Sequence, residues 1–554
     1  MPGRYVIGID FGTLSGRAIL AEAETGRILG QKEYRYTHGV MSSLSGKEKL
    51  GHGWAIQDPA DYLQVLEETI PLLLQETHVP GSEVVGLGCD VTSCTILPVL
   101  EDGTPLSQTE AYRNEPHAFI KMWKHHGAVY QAEKIENWAK QSAPFLLGRY
   151  GGKVSAQWML PKVLQMVEEA PEVYRDCELI MEVADWISFR LTGQVRRSTC
   201  CAGFKSFWDP AVGYPGQSFF AGLDKRLNNL VPQKLRGEMA EPWMPVGHLT
   251  PEWAKKLGLN VQTVVAAGMI DAHAGVLGCG ITEPGKLMMI LGTSACHILL
   301  WPKEKAVPGI CGSCKDSVLP GLYAYEAGQA CVGDMLDWFV HNSVPEAQIA
   351  EAKERSITVH QLLTKQAESL RPGESGLLAL DWWNGQRTPL VDENLTGIML
   401  GMTIRTTPAE QYRCLLEAVA FGTKLILEGF EGAGISISEI IACGGIARKN
   451  SLLMQICADV LGHPIRVADS DQCSALGAAV LAAVAAGVHT TPMEGVMRMT
   501  KSGETVFLPR ADHAAVYSTI YEQYKLLVDY FGKGNTMKVM SNLRNFIAGN
   551  EETL

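Results

Sequence analysis

One local pattern occurs twice in this chain. At residues 7–20 (IGIDFGTLSGRAIL) and again at residues 287–300 (LMMILGTSACHILL), an apolar run enters a Gly-Thr turn and leaves as a second apolar run. Each reads as a tight hairpin of two strands, because β-branched and apolar residues favour strands while glycine opens turn conformations closed to other residues. A unit that recurs at the head of each half of a 554-residue chain implies two related domains facing each other, with the turns converging on one cleft. The length agrees, since so long a chain exceeds what one core supports. The boundary is expected near residues 272–285, giving domains 1–275 and 276–554.

The first turn is rich in ligand-binding chemistry. Asp10, Gly12, Thr13, Ser15 and Arg17 offer a carboxylate, backbone N–H groups, two hydroxyls and a guanidinium. Such a set suits a polyphosphate and its metal, although an ordinary polar hairpin turn has the same composition. A net charge of -12 argues against a nucleic-acid binder working through bulk charge, so an anionic substrate needs a locally cationic site. The opening MPGRYVIGID has no charged leader and long apolar core, so no signal peptide is expected. Residues 474–488 (SALGAAVLAAVAAGV) are too few for the roughly 20 residues of a membrane helix and read as a buried helix. The 14 cysteines are scattered, which is the usage of a reducing cytoplasm, and the lone Cys311-x-x-Cys314 reads as structural.

Along the chain, Asp58 and Pro59 start a helix running through Glu76. Residues 84–100 look like two buried strands around the polar turn Asp90 to Ser93, a candidate ligand contact, and residues 114–182 are mainly helical around a Gly-rich break at 148–153. An apolar strand at 264–268 leads to Asp271, and another at 440–443 leads to Gly444, Gly445 and a helix beginning near Asn450. Residues 39–53 and the polar segment after 487 read as a loop and a helical tail. Two familiar nucleotide signatures fail. Residues 280–286 have P-loop spacing, but Leu287 stands where a Ser or Thr is required and Pro284 interrupts the cradle; no GxGxxG follows the first strand.

The motifs that remain resemble, in order, those of the FGGY carbohydrate kinases, within the sugar kinase, actin and heat-shock chaperone ATPase superfamily: GIDFGTLSGR, GMIDAHAG, LGTSA and CGGIARKN. The resemblance runs nearly end to end. It implies an α/β fold of two RNase H-like domains around an interdomain cleft, with ATP and Mg²⁺ as cofactors and a small-molecule sugar as substrate. A homodimer is compatible with it; nucleic acid and membrane are not expected as partners. Stretches at 121–126 (KMWKHH), 150–158 (YGGKVSAQW), 202–209 (AGFKSFWD), 325–334 (YEAGQACVGD) and 384–403 (NGQRTPLVDENLTGIMLGMT) narrow the resemblance to members that phosphorylate L-ribulose in L-arabinose catabolism.

The resemblance implies roles for particular residues. Asp271 is the base that takes the proton of the sugar hydroxyl, where the structural alternative is a helix N-cap. Asp10 anchors Mg²⁺ through water, where the alternative is a hairpin salt bridge to Arg17. Gly12, Thr13, Ser15 and Arg17 meet the phosphates from one side and Gly292 and Thr293 from the other, while Gly444, Gly445 and Asn450 let the adenine lie against the backbone. Lys205 and Glu326 are charged residues in small or apolar surroundings, which calls for a partner or a ligand. With Asp271, Trp123 and Ser93 they make a candidate sugar site; the alternative is a Lys–Glu ion pair beside a core Trp. Two rivals stay open: another family member acting on xylulose, ribitol or glycerol, and an ATP-gated interaction protein of the actin or chaperone type.

Overall fold

In the computed structural model, which describes residues 3–44, 48–51, 53–534 and 537, both repeats form hairpins. Strand Tyr5–Phe11 pairs antiparallel with Ser15–Glu22, and Lys286–Leu291 with Ala295–Trp301. Around them the two halves repeat one topology. In the first sheet, Ile28–Arg35 extends the hairpin antiparallel on one side, while Val84–Val91 and then Val264–Ala266 join parallel on the other. In the second sheet, Tyr323–Gln329 extends the hairpin antiparallel, while Glu439–Cys443 and then Ile465–Val467 join parallel. Each sheet ends in a further antiparallel strand beside the last parallel one, Pro245–His248 in the first and Val506–Phe507 in the second.

The local signals place the elements well where apolar periodicity is strong. Helix Pro59–Thr77 starts as read, with the Asp58 carboxylate accepting from the Ala60 N–H at 2.9 Å. Residues 84–100 do contain two buried strands, but they do not pair with each other: Val84–Val91 lies in the first sheet and Ile96–Val99 in a separate four-stranded sheet. The helical reading of 114–182 fails at both ends: Ile120–Lys121 is a short strand and the first α-helix begins only at Val129, while the apolar Leu179–Glu182 becomes a strand paired with Ile96–Val99. Tertiary pairing overrides helix propensity there. The Gly-rich break at 148–153 touches the second half, Gly309 donating its N–H to the Gly151 carbonyl at 3.0 Å and Arg149 bonding Glu304 at 3.0 Å. The loop read at 39–53 contains a short strand pair, Ser43–Leu44 with Glu48–Lys49; residues 45–47 and 52 lie outside the described residues. The tail carries helices Pro492–Met499 and Ala511–Leu527, and all but Met537 of the chain beyond residue 534 lies outside the description.

The halves are joined by two short helices of small residues. Helix Asp271–Gly278 packs against helix Cys473–Ala485, and the latter lies on strands Tyr5–Phe11 and Val84–Val91 of the first sheet. Glycine makes this approach possible. A Cβ at Gly8 would stand 1.9 Å from the Ala475 carbonyl oxygen, at Gly88 2.3 Å from that of Ala478, and at Gly477 1.9 Å from that of Ala274. Residues 474–485 are therefore a buried helix as read, but one that the second half contributes to the core of the first. The division expected at 272–285 falls on helix Asp271–Gly278 and the turn after it.

Replacing Gly477 by Ala should force the two helices apart and lower stability by about 1–3 kcal/mol. Gly432→Ala, where a Cβ meets nothing within 4 Å, should leave stability essentially unchanged. Urea unfolding of both variants checks the pair; equal midpoints for Gly477→Ala and the parent would remove the close-packing argument.

Candidate active site

Three strands of the first sheet end side by side, and each brings a carboxylate. Asp10 stands next to the last residue of its strand, in register with Asp90 on the parallel strand beside it and opposite Arg17 in the hairpin. Met269–Ile270 pairs with Val84–Val91 at Asp90 and Val91, which delivers Asp271 to the same edge. Asp271 is not the N-cap but the first residue of its helix, and its carboxylate accepts the Ala272 N–H at 2.7 Å.

The electrostatics of this edge are unfavourable in the protein alone. Burial raises all three carboxyl pKa values. Asp90 is fully buried, is pushed further by the charges of Asp10 and Asp271 and by the proton it shares with Asp10, and finds no donor for either oxygen. Asp271 is pushed up to about 7 by burial and the neighbouring Asp10 charge, against its hydrogen bond from Ala272. Asp10 makes the ion pair with Arg17 that stood as the alternative to its metal role, at 3.6 Å, and Arg17 also reaches Glu33 at 3.5 Å. A buried carboxylate without a donor, beside two like-charged neighbours, fits a bound cation. Their oxygens do not all approach within 4.8 Å of one another, so the group suits a hydrated ion such as Mg²⁺, which keeps several of its waters.

The two Gly-Thr turns are anchored alike. In the first, the Gly12 N–H donates to the Ser15 carbonyl at 3.0 Å, Tyr36 donates its hydroxyl to the Gly12 carbonyl at 2.9 Å, and Gln57 donates to the Thr13 carbonyl at 2.9 Å. In the second, the Gly292 N–H donates to the Ser294 carbonyl at 3.0 Å, and the N–H groups of Gly333 and Val332 donate to the carbonyls of Gly292 and Thr293 at 3.0 and 2.9 Å. Thr293 is exposed, whereas Ser15 is buried in its strand with its hydroxyl beside Glu33. Gly444 adopts φ 91°, open to glycine, and a Cβ there would meet the Leu291 carbonyl oxygen at 2.5 Å. A Cβ at Gly445 meets nothing within 4 Å, leaving room for a flat ligand against the backbone. Asn450 is buried and caps helix Ser451–Leu461, accepting the Leu453 N–H at 2.9 Å.

The expected sugar residues form two groups. Lys205, at the end of helix Thr199–Lys205, and Glu326, in strand Tyr323–Gln329, pair across the halves at 2.8 Å with exposures of 2% and 1%. Arg387 bonds the same Glu326 oxygen at 2.8 Å. Burial would raise the Glu326 pKa, but the charges of Lys205 and Arg387 hold it down at about 2. The ion-pair alternative is thus realised in the protein without its sugar, with the Trp158 ring 5.9 Å from the Lys205 Nζ. Trp123 lies elsewhere, donating its indole N–H to the Thr13 hydroxyl at 3.0 Å. Ser93 is half-buried on the turn after Asp90, its hydroxyl 3.3 Å from the Cys94 sulfur.

Two functional candidates escaped the sequence reading. Asp90 was visible only as part of a polar turn, because nothing local shows that its strand lies between those of Asp10 and Asp271. Arg387 sits in the stretch 384–403 quoted for its resemblance, but its bond to Glu326 spans 61 residues.

The family model "FGGY family of carbohydrate kinases, N-terminal domain" matches residues 5–278, and the C-terminal domain model matches residues 287–486. The chain belongs to the FGGY family of carbohydrate kinases. This FGGY kinase is 45% identical over 553 residues to a ribulokinase of Halalkalibacterium halodurans, covering 98% of each chain. It is 46% identical over 547 residues to a ribulokinase of Bacillus licheniformis, covering 98% of this chain and 99% of the other. Solved structures share the fold. A xylulose kinase from Rhodospirillum rubrum has a TM-score of 0.78 at 23% identity, over 95% of this chain and 98% of its own. A gluconate kinase from Lactobacillus acidophilus has a TM-score of 0.79 at 19% identity, over 96% of this chain and 99% of its own. As an FGGY kinase, the protein is an ATP-dependent sugar phosphotransferase that uses Mg²⁺. Among the described residues no helix is long and apolar enough to cross a membrane.

The raised carboxyl pKa values carry a sign. An acid whose pKa is higher in the folded chain holds more protons folded than unfolded between the two values, so stability falls as pH rises through that window. For Asp271 the window runs from 3.8 to about 7. Without nucleotide or metal, the protein should be more stable at pH 5 than at pH 8. Asp90→Asn should flatten that dependence and raise stability at pH 8 by on the order of 1–2 kcal/mol. Melting curves at the two pH values decide; parallel profiles for parent and variant would contradict the like-charge account.

Proposed function

We propose that this kinase phosphorylates L-ribulose, giving L-ribulose 5-phosphate and ADP. The ribulokinase relatives at 45% and 46% identity along nearly the whole chain support the substrate. The observation that carries the chemistry is Asp271, a half-buried carboxylate with its pKa pushed up to about 7 at an edge that feels the charges of Glu326 and Arg387.

In this reading Asp271 accepts the proton of the sugar hydroxyl as that oxygen forms its bond to the γ-phosphorus of ATP and ADP departs. A pKa of about 7 leaves much of the base ionised near neutral pH yet able to keep the proton it takes. Asp10 and Asp90 would hold a hydrated Mg²⁺, which would offset the negative charge of the phosphate oxygens. Thr13 and Arg17 face the phosphates from one half and Gly292 and Thr293 from the other, with Gly12 and Ser15 shaping the first turn. Gly444 and Gly445 admit the adenine, and Asn450 fixes the helix behind it. Lys205, Glu326 and Arg387 offer donors and acceptors to a polyol, while Trp123 supports the first phosphate turn through Thr13 and Ser93 stands on the turn after Asp90. Because Lys205 and Glu326 come from opposite halves, the sugar site is complete only when the halves meet, which keeps water from the γ-phosphate. The free state of all 14 cysteines supports a reducing, cytoplasmic setting.

Asp271→Asn should lower the turnover number by about 10²–10⁴-fold while changing the Michaelis constants much less. The parent's kcat/KM should rise with pH and level off above about 7, since the base must be ionised. A coupled ADP-release assay over ketopentoses and pentitols checks the substrate. L-ribulose should give the highest kcat/KM; a clear preference for xylulose, ribitol or glycerol would assign the chain to a sister activity.

A further inference from the structure

Behind the cleft, three cysteines from distant parts of the chain converge. The sulfur atoms of Cys279, Cys443 and Cys473 all lie within 4.8 Å of one another. No other group of His, Cys, Asp or Glu among the described residues meets this criterion. All three are free thiols, 7%, 3% and 7% exposed. Each terminates an element that matters. Cys279 follows helix Asp271–Gly278, which begins with the candidate base; Cys443 is the last residue of the strand leading into Gly444 and Gly445; Cys473 opens the helix that joins the halves.

The backbone around the cluster is fixed by packing. A Cβ on Gly278 would stand 1.8 Å from the Cys473 carbonyl oxygen, so the end of one helix rests directly on the start of the other. Thiols bound to one zinc-sized ion at about 2.3 Å lie about 3.8 Å apart, inside the 4.8 Å within which the three sulfur atoms lie. Thiolate sulfur prefers soft ions, and carboxylate or carbonyl oxygen prefers Mg²⁺. The cluster and the cleft carboxylates therefore select different metals.

We propose that Cys279, Cys443 and Cys473 form a binding site for one thiophilic metal ion of the Zn²⁺, Cd²⁺ or Cu⁺ class, and that the bound ion pins the joint between the two halves. Coordination exchanges three S–H bonds for three S–metal bonds; the three protons pass to solvent and no oxidant is needed. The ion ties the end of the helix bearing Asp271 to the strand before Gly444 and to the joining helix, so it resists relative movement of the halves. This second part rests on the closure assigned under the proposed function, and the binding part does not.

The test uses the full-length reduced protein, stripped of metal, with Cd²⁺ and Zn²⁺ as probes. Titration with Cd²⁺ should show one more tight equivalent, seen by thiolate-to-cadmium charge-transfer absorption, in the parent than in Cys473→Ser or Cys279→Ser. X-ray absorption at the zinc edge on the parent with one equivalent of Zn²⁺ should show three sulfur ligands at about 2.3 Å; this measurement needs no variant and stands even if the substitutions impair folding. Equal stoichiometry in parent and variants, or a zinc shell of nitrogen and oxygen only, overturns the site. For the joint, one equivalent of Zn²⁺ should reduce turnover of the parent at least tenfold and leave Cys473→Ser nearly unaffected. Three-sulfur binding with full turnover would overturn the pinning and keep the site. Loss of sugar kinase activity in the untreated parent would instead speak against the proposed function.

Discussion

Everything in the cleft depends on how closely two small-residue helices approach each other and the first sheet. Helix Cys473–Ala485 lies on strands Tyr5–Phe11 and Val84–Val91 with carbonyl oxygens where side chains would otherwise stand, at Gly8 and Gly88, and meets helix Asp271–Gly278 at Gly278 and Gly477. Close packing of this kind leaves little freedom to shift without loss of contact. It therefore sets the position of Asp271, which begins one of these helices, relative to the second half, which supplies the other.

On that frame the protein holds an electrostatic arrangement that is unfavourable without ligands. Asp10, Asp90 and Asp271 end three neighbouring strands, and burial makes their mutual repulsion costly. The same burial pushes the Asp271 carboxyl up to about 7 and makes a neighbouring positive charge favourable at this edge. The favourable counterpart is the buried Glu326, held ionised between Lys205 and Arg387. This cluster links the two halves through the Lys205–Glu326 pair.

Much of this was legible in the residues. The repeated Gly-Thr hairpins announced two related domains, and both sheets do repeat one strand topology. Asp58 with Pro59 marked a helix start, and the Ala-rich run at 474–485 marked a buried helix, because caps and apolar character are local properties. The Asp10–Arg17 ion pair, open as an alternative in the sequence, is set by hairpin register, which places the two residues opposite each other. Less legible were Leu179–Glu182, whose apolar run suits helix and strand alike, and Asn450, whose role as a helix cap depends on where the helix starts.

The sequence by itself determined the duplicated α/β plan, the order of its motifs and the family, since these rest on short-range patterns that survive without coordinates. The tertiary structure alone decided which distant residues share a site: Asp90 between Asp10 and Asp271, Arg387 on Glu326, and Cys279 with Cys443 and Cys473. The reason is physical. Strand order, helix crossings and burial are set by packing among segments hundreds of residues apart, and charge and reactivity follow from burial.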